Sequence, residues 1–124
     1  MLSCAVTADL VADGLALLVG LGGRLGILAS AAVIDVGLRG VAVAHATDAL
    51  DRIHTRLPRV VVVPSALSRE ERTAIAEACR DVRAELVELP AIIEPRDVIH
   101  AIAKALAVSE RKRQRASSVE ITER

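Results

Sequence analysis

The chain has 124 residues, of which 52% are apolar and none is Phe, Tyr or Trp. This length predicts one domain with an aliphatic core, and the lack of aromatic rings excludes a base-stacking platform and an aromatic cage. The 16 basic and 16 acidic side chains give a formal net charge of zero, so no overall positive field draws a polyanion to the body.

The cysteines and the apolar first residues bear on the cellular compartment. Cys4 and Cys79 lie in apolar patterns without CxxC spacing, as expected of reduced, buried thiols in the cytosol. Residues 1–23 are apolar, but Asp9 and Asp13 interrupt them and no basic segment precedes them. They therefore predict neither a secretory signal nor a membrane span, and we expect a soluble cytoplasmic protein.

The first 46 residues predict three strands that alternate with two helices. The strands are predicted at 2–7, 25–29 and 41–46, and the helices at 9–21 and 31–38. The first helix rests on the helical spacing of Leu10, Leu17 and Leu21, and the following Gly22 and Gly23 are interpreted as its C-terminal cap. Because a dinucleotide-binding loop must follow a strand and open a helix, this placement excludes such a role for the glycines.

The second half carries stronger local signals. Four consecutive valines in 59–63 stand between two prolines, a pattern typical of a strand buried on both faces. Ser68 and Glu71 have the spacing of a capping box at the start of a helix. A helix at 47–57, a strand at 85–89, and a last helix that begins near Pro95 and continues through 105–115 complete the prediction.

Five successive βα units with short connections predict a parallel sheet with right-handed crossovers. In so short a chain, this alternation favours a flavodoxin-like three-layer α/β sandwich with five strands in the order 2-1-3-4-5.

This order of elements resembles the receiver domain of bacterial response regulators, and three stretches resemble LuxR-type regulators in particular. Residues 10–18 (LVADGLALL) are similar to the first receiver helix, and residues 86–102 to the last strand and helix. Residues 119–124 resemble the opening of a LuxR-type helix-turn-helix domain. The resemblance implies a receiver-like regulatory domain that forms a homodimer and contacts DNA only through a linked helix-turn-helix domain.

The resemblance also implies where a phosphorylation site would lie. A working receiver binds Mg²⁺ with acids after strand one, is phosphorylated on an Asp after strand three, and uses a Thr or Ser on strand four and a Lys on strand five. The matching positions here are Asp9, His45, Ser65 and Leu89. Mg²⁺ needs several hard oxygen ligands, and one acid cannot supply them. The site is therefore predicted to be degenerate.

A second register is also open. Residues 40–68 resemble the second strand, second helix and third strand of a receiver, which places Pro64 at the acceptor position and again leaves no aspartate. In either register the vacated pocket lies at the carboxyl ends of the strands, where doubly wound sheets bind ligands. A small-molecule ligand near His45 therefore stays open as an alternative to a pocket closed by side chains.

No catalytic residue, metal or cofactor is expected. Histidine, cysteine and carboxylate side chains do not cluster at ligand spacing, and Ser65 lacks partners at the spacing of a catalytic triad. We expect Ile102 and Leu106 of the last helix to contribute to a dimer interface. The basic residues Arg111, Lys112, Arg113 and Arg115 are interpreted as a solvated linker or as a weak, salt-sensitive contact to phosphates.

The leading hypothesis is a phosphorylation-independent pseudo-receiver domain of a transcription factor. It comprises a regulatory domain at 1–108 and a basic linker or tail at 109–124 that leads toward a helix-turn-helix domain outside this sequence. One alternative is a stand-alone adaptor or a component of a larger complex, because residues 60–72 and 87–90 resemble a small rotor protein of V-type ATPases. A small flavodoxin-like enzyme is disfavoured because the sequence offers no acid–base pair or phosphate loop.

Overall fold

The computed structural model describes the backbone of residues 14–122 and the side chains as far as Lys112. The strands are β1 (Leu15–Val19), β2 (Arg39–Val43), β3 (Val60–Pro64) and β4 (Glu85–Leu89). The helices are α1 (Gly23–Asp35), α2 (Ala46–Arg56), α3 (Arg69–Val82) and α4 (Pro95–Thr122). The strand predicted at 2–7 and the candidate residue Asp9 lie outside the described residues.

The four strands form one parallel sheet in the order β2-β1-β3-β4. The predicted α/β architecture and the order 2-1-3-4 are confirmed, whereas residues 14–122 contain four strands instead of the expected series of five. Within this range no helix is both long enough and apolar enough to span a membrane.

The predictions for residues 15–38 are wrong in type. Residues 15–19, expected in a helix, form the central strand β1, and residues 25–29, expected in a strand, lie inside α1. The Leu/Ala run of β1 fits a buried helix segment as well as a buried strand, and its place between β2 and β3 decides for the strand. Gly22 is correspondingly the N-cap of α1 and does not end a preceding helix.

The second half agrees with its sequence signals. The valine run forms β3, residues 85–89 form β4, and α4 begins at Pro95. At the start of α3, the Glu71 N–H donates to Ser68 Oγ at 3.2 Å and the Ser68 hydroxyl donates to Glu71 Oε1 at 3.1 Å. The capping box predicted from the sequence is confirmed.

Two aliphatic layers hold the sheet between its helices. Val60 and Val62 of β3 belong to the layer beneath α1 and α4, while Val61 and Val63 belong to the layer beneath α2 and α3. All four valines have 0% exposure, as alternating side chains of a central strand must when both faces are covered. The predicted core without aromatic residues is confirmed for the described chain.

Helix α4 crosses the whole sheet. It starts after the carboxyl end of β4, and Lys112 Nζ lies 2.6 Å from Glu85 Oε2 at the amino end of the same strand. The helix has 28 residues, and the part that follows Lys112 extends about 15 Å further at 1.5 Å per residue. The predicted continuation of this helix beyond the sheet is therefore confirmed.

Candidate functional site at the carboxyl edge of the sheet

The carboxyl ends of the strands bring together the loops in which an open α/β sheet binds ligands. The structure follows the second of the two registers, since 39–43, 46–56 and 60–64 form β2, α2 and β3. By resemblance, Gly20 and Leu21 then occupy the place of the receiver acids after β1, and Pro64 occupies the acceptor place at the end of β3. None of these residues carries a carboxylate.

Ser65 and Leu89 are brought together, as the sequence predicted, at the ends of β3 and β4. The Ser65 N–H donates to the Leu89 carbonyl oxygen at 2.9 Å, and Pro64 pairs with Leu89 in the strand register. Leu89 is fully buried and the Ser65 side chain is exposed. This corner therefore offers one exposed hydroxyl over an apolar floor.

His45 lies elsewhere along the same edge. It is the exposed N-cap of α2 and follows β2, which is separated from β3 by β1. The structure therefore places His45 beside the end of β1 and not in the corner with Ser65. The placement of His45 after strand three is wrong, because its strand is the second in the chain.

Arg72 is the charged group at the Ser65 corner, and the sequence analysis missed it. From the first turn of α3 its Nη2 donates to the carbonyl oxygens of Ser65 and Leu67 at 3.2 and 3.3 Å. Its Nε lies 3.6 Å from Glu88 Oε2. This guanidinium holds the β3–α3 loop and pairs with the carboxylate nearest in sequence to Leu89. The position of Arg72 four residues after the cap Ser68 was the available signal.

A glycine-rich loop joins β1 to α1 and faces the end of β2. Gly20 has a φ of +60° and its N–H donates to the Val43 carbonyl oxygen at 2.8 Å. The loop and β2 border an open groove of about 500 Å³, lined by Gly20, Leu21, Gly22, Ala42, Val43 and Ala44. The groove contains no charged side chain.

This loop corrects one exclusion made from the sequence. It follows a strand and opens a helix, which is the placement that a dinucleotide-binding loop requires. The same fingerprint calls for an acid near the end of the second strand to bind a ribose hydroxyl, and Ala44 and His45 stand there. The fingerprint is therefore incomplete on the side of its acid.

Gly26 is expected to be required for the tight packing of this loop on α1. An ideal Cβ at Gly26 would lie 2.6 Å from the Leu21 carbonyl oxygen, so Gly26→Ala should lower the free energy of unfolding by about 1–3 kcal/mol. Helix propensity alone predicts a gain of about 1 kcal/mol for the same change. Urea unfolding gives the sign. Gly22→Ser is the control, because an ideal Cβ there meets no atom within 4 Å and Ser favours an N-cap.

The remaining predicted residues lie on α4. Ile102 is fully buried in the layer beneath α1 and α4, and Leu106 is partly buried against it. Ile102 is therefore part of the core and is not available at a surface, which corrects its assignment to a dimer interface. Lys112 forms the ion pair with Glu85, and Arg111 is exposed. The side chains of Arg113 and Arg115 lie outside the described residues.

Residues 14–122 contain no group of three or more His, Cys, Asp or Glu side chains that could hold a metal ion. At the candidate site itself, Glu88 is the acid closest to the strand ends in sequence, and Arg72 lies beside it. The described residues therefore fail to provide the oxygen ligands that Mg²⁺ requires.

No family model and no curated protein matches this chain. Three solved structures resemble it at low identity. The signal receiver domain of a putative LuxO repressor protein from Vibrio parahaemolyticus is 17% identical with a TM-score of 0.57, over 82% of this chain and 95% of that chain. NtrX from Brucella abortus, in complex with ADP, is 17% identical with a TM-score of 0.61, over 89% of this chain and 30% of NtrX.

A de novo designed Rossmann 2x3 protein is 16% identical with a TM-score of 0.51, over 73% of this chain and 70% of that chain. At these identities the likeness concerns the fold alone. Together with the strand order 2-1-3-4, it identifies the fold of this chain as a receiver-like, Rossmann-type α/β fold with a parallel sheet.

Proposed function

We propose that the chain is a receiver-like regulatory domain that works without phosphorylation, within an atypical LuxR-type transcription regulator of the cytoplasm. The observation that carries this proposal is the residue set at the carboxyl edge of the sheet. The fold supplies the positions of a receiver site, and Gly20, Leu21 and Pro64 occupy the places of its acids. A receiver fold without these acids retains its surfaces for protein contacts and loses the chemistry of the phosphoryl group.

The contacts at the Ser65 corner support the same proposal. Arg72 binds two loop carbonyl oxygens and lies beside Glu88, so the β3–α3 loop is held in one conformation by the protein's own cation. A receiver that responds to phosphate needs this region to rearrange when the phosphoryl group arrives. Here the corner is tied by permanent contacts, and regulation would run through dimerisation, a small ligand or a partner protein.

The dimer is proposed to form through the part of α4 that follows Lys112, because this part extends beyond the sheet. DNA would be contacted only through a linked helix-turn-helix domain. A parent gene without such a domain would favour the alternative of a stand-alone adaptor.

The domain is expected to take up no phosphoryl group. Incubation with acetyl phosphate and Mg²⁺ should leave its mass unchanged, and beryllofluoride with Mg²⁺ should leave the amide NMR signals of Gly20, Ser65 and Leu89 in place. The physical reason is that the described site has no acceptor carboxylate and no ligand set for Mg²⁺. A working receiver treated in parallel controls the reagents. A stoichiometric phosphoryl adduct on this chain would overturn the proposal.

A further inference from the structure

Helix α1 presents apolar side chains on its outer face as well as on its inner face. Ala29, Ala32 and Val33 are buried in the core, while on the opposite side Ile27 and Ile34 are 72% and 73% exposed. Ser30 and Ala31 lie between these two isoleucines, and no charged residue occurs from 25 to 34. A helix that is apolar on all sides is typical of a buried helix. The outer face of α1 therefore has the composition of a covered surface.

The first 13 residues join the described chain next to this helix. The Gly14 carbonyl oxygen accepts the Arg39 N–H at 3.0 Å, and an ideal Cβ on Gly14 would lie 2.5 Å from Leu38 Cδ2. Leu38 in turn donates its N–H to Val33 in the last turn of α1 at 2.9 Å. The chain thus enters β1 directly beneath the end of α1 that carries Ile34.

The sequence of this first segment fits an apolar surface. Every second residue from 2 to 12 is apolar, namely Leu2, Cys4, Val6, Ala8, Leu10 and Ala12. An extended backbone turns alternate side chains to one face, and 11 residues in that form reach about 36 Å. Helix α1, with 13 residues, is about 20 Å long. The segment can therefore run the full length of the helix.

The size of the face favours this segment over a second copy of the chain. A strip about 20 Å long and about 10 Å wide, the length and width of one helix, offers roughly 200 Å². A stable interface between two proteins buries about 800 Å² on each partner. A tethered segment needs no such area, because its attachment at Gly14 gives it a high effective concentration. We infer that residues 2–12 pack over the outer face of α1 and cover Ile27, Ala31 and Ile34.

Cys4 allows a direct test in the full chain. Ser30→Cys, Ala31→Cys and Ile34→Cys are made one at a time, and disulfide formation is followed under mild oxidation at low micromolar protein. Peptide mapping by mass spectrometry identifies the partner of Cys4. We expect at least one of the three to form an intrachain disulfide with Cys4 at least tenfold faster than the control Glu77→Cys, an exposed position on α3 across the sheet.

Val6→Asp and Leu10→Asp, added to the fastest of the three variants, should return its rate to that of the control. Rates equal to the control in all three variants would overturn the inference, and so would disulfides formed mainly between two chains, which would assign the face to a second copy. The test is independent of phosphorylation. Its failure leaves the proposed function untouched, and a phosphoryl adduct leaves this inference untouched.

Discussion

Replacing Ile102 with alanine is expected to lower the free energy of unfolding by about 2–5 kcal/mol, the range for a large aliphatic side chain removed from a packed core. Ile102 has 0% exposure and lies in the layer beneath α1 and α4, so the change leaves a cavity that the sheet can fill only in part. Urea unfolding followed by circular dichroism measures the loss. Lys104→Ala, at an exposed position on the same helix, should change stability by no more than about 0.5 kcal/mol.

The same pair of variants separates a core role of Ile102 from an interface role. Sedimentation velocity on folded protein should give Ile102→Ala the assembly state of the unmodified chain, because the side chain does not reach the surface. A variant that unfolds at the original urea concentration but sediments as a smaller species would contradict the assignment to the core. It would restore the dimer interface that the sequence suggested for Ile102 and Leu106.

A loss of stability above pH 9 is expected to come from Cys79. This residue is 2% exposed, and its burial, followed by the negative charge of Glu85, raises the pKa of the thiol from 9.0 to about 12. Folding therefore favours the protonated thiol. Its contribution is complete below the unfolded pKa and is lost as the pH rises from 9 toward 12, at about 1.4 kcal/mol for each pH unit.

The measurement is a pair of stability profiles between pH 8 and 11. Both proteins carry Cys4→Ala, so that Cys79 is the only thiol, and one of them also carries Cys79→Ala. The thiol protein should lose about 2.7 kcal/mol more than the alanine protein between pH 9 and 11. Lysine titration and other alkaline effects act on both and cancel in the difference. Parallel profiles would show that the folded protein does not discriminate against the thiolate.

The second half of the chain could be predicted because its signals act over short distances. The valine run, the capping box at Ser68 and the proline at the start of α4 each determine the conformation within a few neighbouring residues. The helix predicted at 47–57 and the strand predicted at 59–63 consequently lie within one residue of α2 and β3.

The first half could not be predicted in this way. The spacing of Leu10, Leu17 and Leu21 fits a helix, and only the burial of Leu15–Val19 between two strands favours the extended form. Once this strand is misassigned, the glycines after it change from the start of a helix to its end. One error in the identity of a central strand therefore altered each assignment as far as residue 38.

For the candidate site, the absence of acids could be predicted and the contacts that replace them could not. A missing carboxylate is visible in the sequence under either register. The grip of Arg72 on the carbonyl oxygens of Ser65 and Leu67 depends on where α3 starts relative to β3. The separation of His45 from Ser65 likewise depends on strand order, which brings β1 between them.

The continuity of α4 has a torsional consequence. The helix is fixed to the sheet at Lys112 and runs without a break to Thr122, so its far end has a set rotation as well as a set distance. Each residue turns the helix by about 100° and advances it by 1.5 Å. Deleting one residue from 113–122 would swing anything attached beyond it by about 100°, whereas deleting seven would restore its facing to within about 20°. Angular phase, and not length alone, is what this domain imposes on its neighbour.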